Sequence, residues 1–317
     1  MPSRSIPPEA DTAQAGRVVV TGGSGFVGRS LVRAFIRRGT PVTIVDLQAP
    51  PAELDDPRVT YVDGDLREAA TRERAITPGT TGVIHLAAIT SVLQSVEKPA
   101  ETYTNNVEVT QELLELCRQR GVGQFVLAST NAVVGDIGHG TINEELPVRP
   151  LTPYGATKAA CEMLLAGYAG SYRMATTALR FTNIYGPGMN QKDSFIPRLM
   201  RAALSGSGVE VYGDGSQCRD FVHIDDVVQG ILASWDKQYT GTAVIGSGNS
   251  ITVLELIEAV RAATEIDIPL THVPAKNGEM PAVIVEVAKA QRELGYQPVV
   301  DLTDGLRTVW SDFSGER

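Results

Sequence analysis

Between residues 17 and 178 short apolar runs alternate with longer stretches in which apolar side chains return at helical spacing. The runs RVVV, PVTIVD, VTYVDGD, GVIHLAA and QFVLAST are short, mostly β-branched or aliphatic, and bounded by glycine and polar residues, so they read as strands. Residues 31–38 and 107–120 are among the helices between them. Such alternation predicts an α/β fold: a doubly wound parallel sheet with helices on both faces and ligands beyond the carboxyl ends of its strands. After residue 180 the rhythm loosens into the glycine- and proline-bearing loops NIYGPG, VYGDGSQ and AKNGEMP between shorter elements. The expected division is a flexible tail over 1–16, a sheet domain over 17–180, and a smaller α/β lobe over 181–317. Some segments of the lobe are expected to return to the sheet domain.

Length and charge narrow the partners. A chain of 317 residues is long enough for one large or two moderate domains with a sizeable core. The net charge of −9, with no long Lys/Arg run, argues against nucleic acid or an anionic membrane as partner. A local basic pocket for a small anionic ligand remains open. No apolar run is long enough to span a bilayer. Cys117, Cys161 and Cys218 are scattered, and His85, His139, His223 and His272 lie far apart. They form neither a metal spacing nor a disulfide framework, so reduced thiols, no metal and a cytoplasmic location are expected. The opening MPSRSIPPEADTAQAG has no apolar centre and reads as a loose tail, not a signal peptide or transit helix.

The first strand runs straight into TGGSGFVG, with Gly22, Gly25 and Gly28 spaced ahead of a helix that carries Phe26 and Val27. Glycines let a backbone turn tightly and approach a pyrophosphate, which sits on the open N–H groups and positive end of the helix. A glycine turn can be purely structural, but here Asp46 ends the next strand, where a carboxylate takes both ribose hydroxyls and repels a 2′-phosphate. No arginine follows at Leu47 or Gln48, so the reading is a Rossmann-type NAD site in preference to NADP. Asp65 and Leu66 fall where an adenine is held, and Leu86, Ala87 and Ala88 offer small or apolar contacts beside the cofactor. His85 reads as packing at a strand end.

The fifth strand ends in Ser129 and Thr130, and TPYGATK follows. Thr152 suits an N-cap and Pro153 a first helical position, so Tyr154 and Lys158 share one helix face. A protonated lysine beside a phenol favours the phenolate and lowers its pKa from about 10. Alone, Y-x-x-x-K occurs by chance in many helices. A strand-end hydroxyl facing such a pair beside a nicotinamide site is a catalytic constellation.

TGGSGFVG, Asp46, HLAA, the hydroxyl before YxxxK, RFTNIYGPG and GDGSQCRDFVHIDD together resemble the extended short-chain dehydrogenase/reductase family, in its nucleotide-sugar epimerase and dehydratase group. The resemblance extends from Arg17 to about Trp310. It implies that Tyr154 takes the proton of a sugar O4 while a C4 hydride passes to NAD, that Lys158 lowers the phenol pKa and binds the nicotinamide ribose, and that Thr130 relays the proton. It further implies that Asn106 supports the active-site backbone beside the cofactor. Arg219 and Asn183 would grip the diphosphate of a UDP-sugar, and Ser194, Phe195 and Tyr212 would line its nucleotide pocket. Lys276 stands where these enzymes often carry a second arginine. Asp220, Asp225 and Asp226 are expected to organise loops and helix caps.

Dehydratases of that group carry an Asp–Glu pair directly after the hydroxyl, and the corresponding decarboxylases a glutamate; here those positions are Asn131 and Ala132. The resemblance therefore implies C4 epimerisation, with NAD retained and recycled. Val134 replaces a usual tyrosine, and Val283 falls where a gate beside the C2 substituent is expected, which would admit N-acetylhexosamines. Lys192 would pair with a C6 carboxylate if the sugar were a uronic acid, or else is a solvated loop lysine. A 4-ketoreductase and a non-catalytic NAD-binding sensor or scaffold are the other readings. The helices over 107–120 and 154–169 match those that pair in family homodimers, so a homodimer is expected.

Overall fold

The computed structural model describes residues 16–275 and 280–315. Residues 1–15 of the expected tail and Lys276 lie outside the described residues.

The strands are β1 Arg17–Thr21, β2 Val42–Asp46, β3 Val59–Asp63, β4 Thr80–His85, β5 Gln124–Thr130, β6 Thr141–Ile142, β7 Ala175–Phe181, β8 Asn183–Tyr185, β9 Val209–Tyr212, β10 Cys218–His223, β11 Gly241–Ile245, β12 Ser250–Thr252, β13 Leu270–Val273 and β14 Ile284–Val285. The helices are α1 Phe26–Arg37, α2 Ala69–Ala75, α3 Val92–Glu97, α4 Pro99–Tyr103, α5 Val109–Gln119, α6 Pro153–Tyr172, α7 Phe195–Ser205, α8 Ile224–Asp236, α9 Val253–Thr264, α10 Ala288–Leu294 and α11 Leu302–Ser314.

Seven parallel strands form the central sheet in the order β11-β7-β5-β4-β1-β2-β3. Strand order reverses between β1 and β4, which opens a crevice at their carboxyl ends. This is the Rossmann-type doubly wound fold expected from the alternating pattern. β11 lies well beyond residue 180 yet pairs with β7 to extend the sheet.

Burial on both faces explains why these strands read as continuous apolar runs. One face carries a core of Val18, Val20, Ile44, Ile84 and Val126 with side chains of α1, α8 and α10. The opposite face packs Val19, Val45, Val83, Phe125 and Leu127 against α2, α5 and α6. A third core joins α7, α9 and α11 with β9 and belongs to the substrate-side lobe. Its small sheets, β12-β10-β8 and β13-β9, carry loops toward the crevice.

Two boundaries differ from the sequence reading. Helix α1 starts at Phe26, well before residue 31, because the chain turns directly out of the glycine loop with Gly25 as N-cap. The stretch over 107–120 is preceded by a π-helical turn over Thr104–Glu108, which holds Asn106, before α5 begins. An extra residue in a helical turn alters the direction of a side chain, and such turns recur at functional sites.

Candidate active site

The glycine turn is shaped by two close approaches. Gly22 has φ +68°, and a Cβ there would lie 2.9 Å from the Ala87 nitrogen. A Cβ on Gly28 would lie 2.1 Å from the Gly22 carbonyl, so only glycine lets α1 lie this close to β1. Gly25 is exposed and supplies no side-chain cap, leaving the first N–H groups of α1 open to an anion. Asp46 is held beside this turn: its carboxylate accepts from the Ser24 amide at 3.1 Å and from the Gln48 amide at 3.1 Å. A carboxylate fixed at the end of β2, next to an uncapped helix start, fits the ribose and pyrophosphate of a dinucleotide.

The neighbouring strand ends divide in role. Asp65 is paired with Arg67, whose guanidinium lowers the Asp65 pKa. Leu66 is buried in the sheet core, and Phe26 packs against the lobe core. Leu86 and Val27 line the cavity, whereas Leu86 and Ala87 both donate their amides to Thr21 Oγ1 at 3.2 Å. Ala88 follows, half-buried, in the same turn. His85 is 1% exposed and bonded through Nδ1 to Thr21 Oγ1 at 2.7 Å, and burial, aided by the Lys158 charge, pushes its pKa down to about 3. It is a neutral packing histidine.

At the carboxyl ends of the sheet a cavity of about 910 Å³ opens between the sheet domain and the lobe. Thr130, Tyr154 and Lys158 line it on one side, and Asn183, Ser194, Phe195, Tyr212, Arg219 and Lys192 on the other. Helix α6 begins as its sequence suggests, with Thr152 Oγ1 accepting from the Gly155 amide at 3.2 Å and Pro153 in the first turn. That start carries Tyr154 into the cavity. Thr130 Oγ1 accepts from the Ala132 amide at 3.2 Å, and a hydrogen bond from Thr130 to the Tyr154 phenol favours the phenolate.

Burial nevertheless outweighs that bond and pushes the Tyr154 pKa up to about 12. Here the expectation of a lysine-lowered phenol is corrected for the protein without cofactor. Lys158 directs its ammonium to the Ala128 carbonyl at 2.8 Å, so its charge is spent on the strand. Burial lowers the pKa of Lys158 as well, against the raising effects of Cys161 and Glu162.

Beneath these groups lies a buried network that the sequence reading did not single out. Ser129 donates to Glu162 Oε1 at 2.5 Å, and Arg180 pairs with the same carboxylate at 3.0 and 2.7 Å. Ser129, Glu162 and Arg180 are each under 5% exposed. The available signal was helical spacing: Glu162 stands one turn beyond Lys158, as Lys158 stands one turn beyond Tyr154. Asn106, 1% exposed, is fully engaged behind the site: its amide accepts from Ile89 N at 2.9 Å and donates to Ile89 O at 3.0 Å and Thr157 Oγ1 at 3.1 Å. It braces α6 and does not line the cavity.

The match to the NAD dependent epimerase/dehydratase family spans residues 18–246. The chain belongs to that family. Its cofactor is NAD, and the open α1 turn with Asp46 fits it. A dTDP-glucose 4,6-dehydratase from Streptomyces griseus is 33% identical over 302 residues, covering 91% of each chain. Among solved structures, a Thermus thermophilus UDP-glucose 4-epimerase in complex with NAD is 32% identical with TM-score 0.86, covering 95% of this chain and 100% of its own. MoeE5 in complex with UDP-glucuronic acid and NAD is 35% identical with TM-score 0.85, at the same coverage. The relatives therefore include epimerases and dehydratases, so residues within the family site must discriminate between them.

Several lobe residues complete the description. Asn183 Nδ2 donates to the Asp220 carbonyl at 2.9 Å, and Arg219 Nη1 to the Cys218 carbonyl at 2.7 Å. Asp220 holds Ser247, and Asp226 accepts from the Val299 and Val300 amides at 2.9 and 3.2 Å, so both carboxylates organise loops. Val283 corrects an expectation: it is 9% exposed within the sheet-face core and does not line the cavity. The backbone explains this, since its amide is tied to the Cys218 carbonyl at 2.9 Å and the side chain packs inward beside Val285 and Val287. Val134 is likewise core. Among the described residues no group of His, Cys, Asp or Glu could hold a metal, and no helix is long and apolar enough to cross a membrane.

Proposed function

We propose that this chain interconverts the C4 epimers of a UDP-sugar, with UDP-glucose and UDP-galactose as its first pair. One observation carries the reading: Thr130, Tyr154 and Lys158 line the shared cavity, while the two positions after Thr130 hold no acid. Loss of water across C5 and C6 needs a proton donor and a base at those positions. Asn131 is a neutral amide, 6% exposed, and Ala132 has no functional group, which favours epimerisation over dehydration.

In this mechanism Arg219 and Asn183 hold the diphosphate, and Ser194, Phe195 and Tyr212 hold the base at the lobe side. Tyr154 accepts the O4 proton through Thr130 and returns it to O4 once the 4-keto sugar has turned. Lys158 binds the nicotinamide ribose and gives its charge to the phenolate once drawn away from Ala128. The chemistry NAD would supply when bound is to take the C4 hydride and give it back to the opposite face of C4, with a positive charge that would offset burial of Tyr154. A 4-keto sugar swinging about its diphosphate needs room, and about 910 Å³ is toward the upper end of ligand cavities. The second substrate reading is UDP-glucuronate, favoured by the likeness to MoeE5 with UDP-glucuronic acid.

An NMR time course without added nucleotide, on UDP-glucose, UDP-N-acetylglucosamine and UDP-glucuronate in separate tubes, tests this. The expected result is the C4 epimer's anomeric signal, absent for Tyr154→Phe. Appearance of a 4-keto-6-deoxy sugar would make the protein a dehydratase, and turnover only with added NADH a ketoreductase.

We also infer a homodimer. Helices α3, α4 and α6 pack on one another and leave Leu93, Val96, Tyr103 and Met163 exposed on their outer surface. Exposed apolar side chains clustered on packed helices favour pairing with a second copy. Light scattering after size exclusion is expected to give twice the mass of one 33.9 kDa chain.

A further inference from the structure

We propose that Lys192 is a cofactor-binding residue, its ammonium supplying the counter-charge for the dinucleotide pyrophosphate from a strap that the lobe lays across the first turn of α1. The inference depends on NAD as the family cofactor and not on which sugar reaction follows.

The strap, residues 186–192, is held from two sides. Arg29 of α1 donates through Nη2 to the Gly188 carbonyl, and the Gly188 amide donates to Asp312 of α11 at 2.7 Å. The Lys192 amide closes the turn on the Met189 carbonyl at 2.8 Å. Its side chain then crosses to the cofactor domain, where Nζ stands 4.4 Å from the centre of the Phe26 ring. Phe26 is the first residue of α1, immediately after the uncapped Gly25, so the ammonium rests on the side chain that opens the helix whose start receives a pyrophosphate.

The local charges call for an anion. Lys192 forms no ion pair among the described residues, since the adjacent Asp193 is taken by Arg198 at 2.6 Å. Although much of the side chain is exposed, burial of the ammonium lowers its pKa, and the nearby Arg29 lowers it further. The first turn of α1 carries no acidic residue. Two cations held together beside open amides are stabilised when a ligand brings negative charge. The ring of Phe26 fixes Lys192 at the cofactor end of the cavity, whereas Arg219 serves the lobe end.

The test is the exchange of isotope-labelled NAD from the holoenzyme against unlabelled NAD, a readout independent of sugar turnover. Lys192→Gln is expected to release NAD about tenfold faster, the scale of one charge-assisted contact, and Lys192→Arg to stay within about threefold of the parent. Unchanged melting temperatures in both variants would exclude a folding effect, as expected for an exposed loop residue. An unchanged exchange rate in Lys192→Gln overturns the proposal. KM values then say where the charge acts: a rise for UDP-glucose and UDP-glucuronate alike assigns it to the substrate diphosphate, and a rise for UDP-glucuronate alone to a C6 carboxylate.

Discussion

The two sides of the cavity treat charge differently. On the sheet side the ionised groups find their partners inside the chain: Lys158 on Ala128, and Glu162 shared between Ser129 and Arg180. On the lobe side Arg198 and Arg201 stand on a helix surface with side chains 53% and 43% exposed, and Asp193, which pairs with Arg198, is 75% exposed. A buried charge without a partner is costly, so the chain itself holds each sheet-side charge before any ligand arrives. Hydrated charges are cheap to leave waiting, so the lobe can spend them on a ligand's phosphates. The sheet side is therefore predicted to govern turnover and stability, and the lobe side to govern affinity.

The largest effect expected is on turnover at the sheet side. Tyr154→Phe removes the proton acceptor while leaving the ring, and kcat should fall roughly 10²- to 10⁴-fold with KM little changed. The pH profile sharpens the point. Burial raises the Tyr154 pKa, and in the proposed NAD-bound enzyme Lys158, drawn away from Ala128, lowers it, so removing the Lys158 charge there raises it again. The fraction of phenolate at a given pH then falls, and in Lys158→Met the acidic limb of kcat should move to higher pH. If the limb stays in place, Lys158 acts on the ribose and not on the phenol.

Next comes the network beneath. Glu162→Ala leaves Arg180 buried without its carboxylate and is expected to cost about 3–5 kcal/mol in urea unfolding. A loss below about 1 kcal/mol would mean that water replaces the carboxylate, and the contrast between the two sides would fail. Glu162→Gln keeps the shape and a hydrogen bond to Ser129, so it should fall between the two.

These groups were unequally legible. The glycine turn, Asp46 and the Thr152–Pro153 start of α6 were readable because each is a local device, with cause and effect within a few residues. Pairing of β11 with β7 and the union of Glu162 with Arg180 depend on contacts between distant segments, to which periodicity is blind. The parked Lys158 shows a subtler limit. Helical spacing put lysine and tyrosine on one face, but the Ala128 carbonyl that captures the ammonium comes from another element. In the lobe, Asn183, Ser194, Phe195, Tyr212 and Arg219 do line the cavity as the resemblance implied, whereas Val283 turns into the core, a direction that its sequence position alone does not set.

Arg219→Met tests the lobe side. It should raise KM for a UDP-sugar roughly ten- to a hundredfold, the scale of a hydrogen bond to a charged group, with kcat nearly unchanged. A fall in kcat without a rise in KM would place Arg219 in the chemistry and erase the division of labour.

The smallest effect expected concerns Val283, where fold and specificity compete. A tyrosine gate at this position would require the side chain to face the cavity, yet Val283 packs beside Val285 and Val287 with 9% exposure. Val283→Tyr should therefore overpack the sheet-face core and cost about 1–3 kcal/mol, read as a lower melting temperature. Turnover of UDP-glucose and of UDP-N-acetylglucosamine well below the melting temperature should keep the same ratio, because the added volume lies in the core and not at the sugar. Full stability with selective loss of the N-acetyl sugar would instead mean that the larger side chain turns outward. In that case the boundary between core and cavity runs on the other side of residue 283, and sugar selectivity is set from the sheet domain as well as from the lobe.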